Sequence, residues 1–328
     1  MSFGLTARLP LSRHAVDRDH ARRAQPGLLE TLWADAATRV LVLSRGRALL
    51  QAAPTGDHAA APKLDLLAPA ALAGIEIDPA TRLYLGRSLD ASAAEPVGTS
   101  LVAVVLSESA ANALEPDVAR WVILRDIATT ASDRDAGVFA EALAVTNWHA
   151  SHTHCPRCGA ATAVEDAGWT RRCPVDGGQV FPRTDPAVIV LITDDADRIL
   201  LGSNAMWEHN RYSLLAGFAE PGESLEAAVI REMFEESGLR VSDPVYLGSQ
   251  PWPFPASLMV GFSARVADDQ NPQALVPDGE EILDLRWFSR AELLAEREVI
   301  MLPGASSIAR AMIEHWLGEP LEPTGSVR

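Results

Sequence analysis

An α/β fold divided into more than one domain is predicted from three observations. Short apolar runs bounded by turn residues alternate with segments of helical apolar period. At 328 residues the chain is longer than one core usually supports. Two cysteine-bearing turns interrupt it near the middle. Composition agrees, since 48% hydrophobic and 22% charged residues suit a soluble globular chain. There is no apolar run of the about 18 residues that a membrane span needs, so no membrane partner is expected. The N-terminus lacks the layout of a secretory signal, so a cytoplasmic location is expected. The net charge of −16, with Lys63 the only lysine, excludes a general nucleic-acid-binding surface but leaves room for a nucleotide pocket with local arginines.

Residues 1–145 form the first region, a mixed α/β domain. Its apolar runs at 40–43 and 48–50 flank Ser44-Arg45-Gly46-Arg47 and predict a hairpin over 39–51. Residues 51–63, rich in Ala, Pro and Gly, predict a surface loop. Residues 82–86 and 100–106 predict strands. Phe139, Leu143, Val145 and Trp148 give a helix over 136–150. No catalytic constellation stands out; His14, Asp17 and His20 are expected to be ordinary surface residues.

Residues 151–181 carry Cys155-Pro-Arg-Cys158-Gly and, fourteen residues on, Cys173-Pro-Val-Asp176-Gly. Two such turns predict a zinc-ribbon-like segment held together mainly by its metal. Three cysteines cannot all pair, and in a reducing compartment they are better metal ligands than disulfides. Asp176 stands where a fourth cysteine is expected. Either Asp176 is the fourth zinc ligand, or one of His149, His152 and His154 is, or the site is empty. Closed by four protein ligands, the site has no place for substrate.

Residues 182–318 form the third region, and 319–328 a loose tail. The apolar run at 187–193 predicts a buried strand, Asp194-Asp195-Ala196-Asp197 a turn, and 198–202 the returning strand. Further strands are expected at 212–216, 245–247, 258–266 and 283–288, a short helix at 291–295 and a longer one at 307–317. Pro221 and Gly222 make a turn, Ser224 is an N-cap, Leu225, Ala228, Val229 and Met233 give the helical period, and Gly238 stops the helix. On that helix Glu232, Glu235 and Glu236 share one face. Like charges so spaced repel unless a cation lies among them, and hard carboxylate oxygens suit Mg²⁺ or Mn²⁺. Glu223 enters from the loop, and Arg231 can pair with an acid. The later run Ser249-Gln250-Pro251-Trp252-Pro253-Phe254-Pro255 predicts a rigid loop, not a central strand, presenting Trp252 and Phe254 for stacking on a planar base.

The helix and its loop resemble the Nudix box, Gly-x5-Glu-x7-Arg-Glu-U-x-Glu-Glu-x-Gly-U with U apolar. Gly217, Glu223, Arg231, Glu232, Met233, Glu235, Glu236, Gly238 and Leu239 fill every position. Seven fixed residue types give a chance match of order 10⁻⁹ per starting position. The proline-aromatic run resembles the signature that separates NADH pyrophosphatases from other Nudix hydrolases. The resemblance covers nearly the whole chain and implies the α/β/α sandwich of that family. It implies metal-dependent hydrolysis of NAD(H) to nicotinamide mononucleotide and AMP, removal of the NAD cap from RNA 5′ ends, and a homodimer. By position, Glu232, Glu235 and Glu236 are implied as ligands of Mg²⁺ or Mn²⁺, joined by Glu281 (with Glu280 adjacent) from a separate loop; the general base is among Glu235, Glu236 and Glu281. Phe218, Gln250, Trp252, Phe254, Ser257, Met259 and Ala309 are implied as substrate-binding. So is Phe181, which stands where the family usually has Tyr; Gly168 stands where a relative has an acidic side chain. The rivals are a broader dinucleotide or nucleotide-sugar pyrophosphatase and a non-catalytic nucleotide sensor or RNA-binding factor.

Overall fold

The computed structural model describes Leu5 and residues 9–52, 61–91 and 93–321. Most of the loop expected at 51–63 and of the tail expected at 319–328 therefore lies outside the described residues. The chain divides into two compact units, one holding residues 13–184 with 252–256, the other 1–12, 185–251 and 257–328.

The first unit contains β1 (Val16–Asp17), α1 (Leu28–Ala34), β2 (Arg39–Ser44), β3 (Arg47–Leu49), β4 (Leu83–Ser88), β5 (Ser100–Val105), α2 (Glu108–Leu114), β6 (Trp121–Ile123), α3 (Leu124–Ile127), α4 (Asp133–Ser151), β7 (Ala163–Glu165), β8 (Thr170–Arg172) and β9 (Gln179–Val180). Its larger sheet runs β1-β4-β5-β2-β3-β6, with β2 and β5 parallel. The expected hairpin is β2–β3, with Ser44 opposite Arg47. Arg45 (φ 50°) and Gly46 (φ 72°) supply the two positive φ values that such a tight turn needs. α4 begins before the expected 136 because Ser132 caps it, its side chain accepting from the Asp135 N–H. It also runs past 145, so the boundary set there falls inside a helix. β7–β9 make a small antiparallel sheet. The turn before β8 packs on the larger sheet: Trp169 Nε1 donates to the Tyr84 carbonyl at 2.7 Å, and the Arg23 guanidinium lies 3.6 Å from the Trp169 ring centre. Gly168, at φ +97°, is so close to Leu83 that a Cβ would fall 2.8 Å from its side chain. No acidic side chain fits there.

The second unit contains β10 (Asp185–Thr193), β11 (Ile199–Asn204), β12 (Leu215–Phe218), α5 (Leu225–Ser237), β13 (Val241–Trp252), β14 (Ser257–Val266), β15 (Ile282–Phe288), α6 (Arg290–Glu296) and α7 (Ile308–Leu317). The sheet order is β13-β14-β10-β11-β15, with β12 also pairing β10. β10 is apolar and buried from Ala187 to Ile192 because both its faces are covered there. Val188, Val190 and Ile192 pack with Ala228, Val229 and Met233 of α5. Ile189 and Leu191 pack with Ile308, Met312 and Ile313 of α7. Each of these buried Val, Ile, Leu and Met side chains contributes about 1.5–3 kcal/mol, and the result is the expected α/β/α sandwich.

Two strands differ from expectation. β12 starts at 215, not 212, and continues to Phe218 because Gly217 and Phe218 pair with Val188 and Ala187. β13 spans twelve residues and includes Pro244 and Pro251, where only a short strand and then a loop were expected. It lies at the edge of the sheet, where prolines are tolerated in a strand. The loop proper shrinks to residues 253–256, and Trp252 ends the strand.

That proline loop lacks backbone donors at Pro253 and Pro255, so its carbonyls carry its anchorage. Asn147 Nδ2 of α4 donates to the carbonyls of Pro253 (3.1 Å) and Pro255 (3.2 Å). The net worth of such a bond is about 1 kcal/mol, or about fivefold in an opening equilibrium. Asn147→Ala should therefore speed amide exchange in the 250–258 peptide by at least about fivefold while leaving α4 peptides unchanged. Unchanged exchange in that peptide would show that something else holds the loop.

Candidate active site and metal centres

The sequence turns from β12 into α5 as predicted. Ser224 accepts from the Ala227 N–H at 3.1 Å, and Gly238 closes the helix at φ 71°. Burial of Ala228, Val229 and Met233 fixes the roll of α5 and brings the acids back toward β12. The Glu232 carboxyl lies against Gly217, where a Cβ would fall 2.0 Å from the carboxyl carbon. That contact is the physical reason for glycine at 217.

Arg231 braces the loop on the helix. Its guanidinium reaches Glu223 at 2.6 Å, Glu232 at 3.0 Å, Glu235 at 2.9 Å and the Phe218 carbonyl at 3.0 Å. Glu223 also accepts the Glu220 N–H at 2.7 Å. The Arg231 bond, then the Glu220 N–H, hold the Glu223 carboxyl below its usual range. Glu223 and Arg231 thus build the scaffold of the turn, and Glu235 sits at its exposed rim.

Glu236 is different. It is 4% exposed, and its Oε2 is buried with no hydrogen-bond partner. Burial, then the charges of Glu281, Glu232 and Asp278, push its carboxyl up to about 9. Burial, with the charges of Glu235 and Glu281, also raises Glu232, against the pull of Arg231. A buried lone carboxylate oxygen beside further acids is what a divalent-cation site looks like without its cation. Glu232, Glu236 and Glu281 carry the hard carboxylate oxygens that Mg²⁺ or Mn²⁺ takes, with Glu235 adjacent. The glutamates do not converge to ligand spacing; among the described residues only the cysteine set does. Asp278, which sequence reasoning missed, accepts the N–H groups of Glu280, Glu281 and Ile282 on one oxygen at 3.0, 3.0 and 2.8 Å. The turn dipeptide Asp278-Gly279 was its available signal.

The residues expected to bind substrate fall in both units. Phe218, at the end of β12, is 58% exposed. Ser257 and Met259 stand on β14 opposite Asp185 and Ala187. Gln250 is fully buried, and its amide is used by the fold: Nε2 donates to the Ser306 carbonyl at 2.9 Å and Oε1 accepts the Ile308 N–H at 2.8 Å, capping α7. Ala309 is buried in the α7 core. In the other unit, Phe181 follows β9 and is 60% exposed. Trp252 and Phe254 pack edge to face at 5.1 Å, and the Arg125 guanidinium lies 4.2 Å from the Phe254 ring centre and 5.0 Å from that of Trp252. Arg125, which the sequence did not single out, occupies part of the stacking surface expected there.

The two cysteine turns are built alike. Cys155 N–H donates to the Ala160 carbonyl and Gly159 N–H to that of Cys155; Cys173 N–H donates to Gly178 and Gly177 N–H to Cys173. Each closes on a glycine at positive φ, 73° at Gly159 and 70° at Gly177. Cys155, Cys158, Cys173 and Asp176 bring their ligand atoms within 4.8 Å of one another. All three cysteines are free. His149 is engaged elsewhere, with Nε2 against the Gly168 carbonyl at 2.8 Å and Nδ1 against Arg171 at 3.0 Å. Of the open choices for the fourth position, the geometry favours Asp176. Three thiolates and a carboxylate fit structural Zn²⁺.

Two outcomes follow from these sites. The Glu236 carboxyl is raised in the folded chain, so its proton uptake favours folding below about pH 4.5 and is lost as pH rises to about 9. The metal-free protein should lose stability across that window, by at most about 1.4 kcal/mol per pH unit from this group. Glu236→Gln should flatten the profile in thermal melts; an unchanged slope would mean that other groups set it. Asp176→Ala should weaken zinc retention at least about tenfold in chelator competition. Retention equal to that of the unaltered protein would put the fourth ligand elsewhere.

Family models match in three successive stretches: an NADH pyrophosphatase-like rudimentary NUDIX domain over residues 37–148, an NADH pyrophosphatase zinc ribbon domain over 150–181, and a NUDIX domain over 183–306. The chain is 44% identical over 213 residues to proteins of Mycobacterium bovis and Mycobacterium tuberculosis, each named NAD-capped RNA hydrolase NudC, covering 62% of this chain and 67% of each relative. It is 38% identical over 199 residues to the human NAD-capped RNA hydrolase NUDT12, covering 56% of this chain and 42% of that protein. With a box whose acids crowd one buried carboxylate and a zinc-ribbon segment ahead of it, this chain belongs to the NADH pyrophosphatase subfamily of the Nudix hydrolases.

Proposed function

We propose that the protein hydrolyses the pyrophosphate bond of NAD(H) to nicotinamide mononucleotide and AMP, and cuts the same bond in NAD-capped RNA 5′ ends. The observation that carries this reading is the buried, partnerless Glu236 oxygen among Glu232 and Glu281 in an intact box. A nucleotide sensor would have no use for so costly a carboxylate. The substrate class is supported by the names of the relatives and by the aromatic pair Trp252 and Phe254.

In this mechanism Glu232, Glu236 and Glu281 would hold the divalent ions, with Glu235 beside them. Bound Mg²⁺ or Mn²⁺ supplies neutralisation of the pyrophosphate charge and a water made acidic enough to attack. Arg231 and Glu223 keep the loop from Phe218 to Ser224 fixed on α5, so that the acids meet the substrate in one arrangement. The proton of the attacking water passes to a carboxylate among Glu235, Glu236 and Glu281. By the family resemblance, the substrate-binding residues are Phe218, Gln250, Ser257, Met259 and Ala309 of one unit and Phe181, Trp252 and Phe254 of the other. A homodimer in the cytoplasm is part of the same reading. It is supported by the family resemblance, by the exposed Val245 and Tyr246 on the edge strand β13, and by three unpaired thiols.

The test is product analysis of NADH and NAD-capped RNA with Mn²⁺ or Mg²⁺. Nicotinamide mononucleotide with AMP, or RNA ending in a 5′-monophosphate, is expected. Glu236→Gln should lower kcat about 10²-fold or more with the fold intact. Consumption of ADP-ribose or diadenosine compounds but of neither expected substrate would replace this reading with the broader pyrophosphatase.

A further inference from the structure

Glu281 is the one proposed metal ligand outside α5, so something other than the helix must fix its position. Its loop precedes β15, and β11 runs antiparallel to that strand. The register of the pair slips at one place: Ser203 faces Asp284, but Asn204 faces Ile282, so Leu283 is an extra residue. Leu283 is pushed outward and is 58% exposed. Without that bulge Asn204 would stand opposite Leu283; with it, Asn204 lies beside Glu281. Bulges next to reactive sites re-aim side chains in this way.

Three contacts then hold Glu281. Its N–H donates to Asp278 Oδ1 at 3.0 Å, its carbonyl accepts from the Ala205 N–H at 2.8 Å, and its Oε1 accepts from Asn204 Nδ2 at 3.3 Å. The Asn204 amide is itself oriented, because its Oδ1 accepts the Met206 N–H at 2.9 Å. The N–H side is therefore left facing the Glu281 carboxylate. An amide donor on one carboxylate oxygen leaves the other for a cation and offsets the repulsion from Glu232 and Glu236.

We infer that Asn204 is a positioning residue for metal binding: it acts on the divalent cation only through Glu281. The inference rests on the reading of Glu281 as a metal ligand. Asn204 lies outside the box motif.

The experiment is Mn²⁺ binding without substrate, followed by the electron paramagnetic resonance signal of the free ion. Asn204→Ala should weaken Mn²⁺ affinity about tenfold, as loss of a partner behind a ligand commonly does. The Mn²⁺ concentration giving half-maximal NADH hydrolysis should rise by the same factor, with kcat recovered at saturating Mn²⁺. Asn204→Ser keeps a hydroxyl for the Met206 N–H but loses the reach to Glu281, and should show the same loss if the alanine variant folds poorly. In a cycle with Glu281→Gln, the double variant should bind Mn²⁺ no more weakly than Glu281→Gln alone. Unaltered affinity in both Asn204 variants, or losses that multiply in the double variant, would overturn the inference. If Glu281→Gln binds Mn²⁺ normally, the reading of Glu281 itself falls, and that result is distinct from either failure of Asn204.

Discussion

The structure of the catalytic unit depends on keeping one carboxylate, that of Glu236, out of water. Met233 and Val229 pin α5 to the central strand, and the same roll of the helix carries Glu236 into the interior. Burying a charge without a partner is among the costliest things a fold can do. The chain reduces that cost by holding the proton on Glu236 and by tying the neighbouring acids to Arg231. On the proposed reading of Glu236 as a metal ligand, a cation takes the place of the proton, so affinity for the ion and strain in the metal-free site have one source. Stability is given up here for function, as is common at reactive sites.

The glycine at 217 and the arginine at 231 belong to the same constraint. A side chain at 217 would strike the Glu232 carboxylate and push it off the strand. Arg231 takes up three of the acids, so the loop from Phe218 to Ser224 and the helix move as one piece. Two of the box positions thus serve the geometry of the others. The zinc segment solves a related problem at smaller scale. It has three short strands and little core, so the cysteine set supplies what packing cannot. An aspartate in the fourth position keeps the turn, because Asp176 Oδ1 accepts the Gly178 N–H at 2.8 Å while its other oxygen faces Cys155.

Much of this was legible in the sequence. The buried strand β10 was readable from an unbroken apolar run, and α5 from a cap, a period and a stop that act over a few residues. The acids were readable because their spacing on one helix is fixed by helical geometry. What could not be read depends on partners far away in the chain. The prolines of 251–255 suggested a loop, but Pro244 and Pro251 are tolerated in a strand because β13 lies at the edge, which only the strand order reveals. Ser132 was a legible cap for α4, but the apolar period begins only at Phe139. Arg125 and Asn147 gave no local sign of their role, since what they hold lies more than a hundred residues later.

The pairing of β11 with β15 carries this point into the site itself. A bulge changes which residue faces which, and nothing in the sequence of either strand announces it. Leu283 looks like one more apolar residue in a strand, yet its outward displacement is what sets Asn204 beside Glu281. Sequence motifs therefore identify the groups that bear the chemistry, because those groups are chosen for residue type. The groups that aim them are chosen for location, and many residue types with a donor could serve. A site of this kind is half visible in its chain: the acids are legible one by one, while the supports that set their distances exist only once the strands have paired.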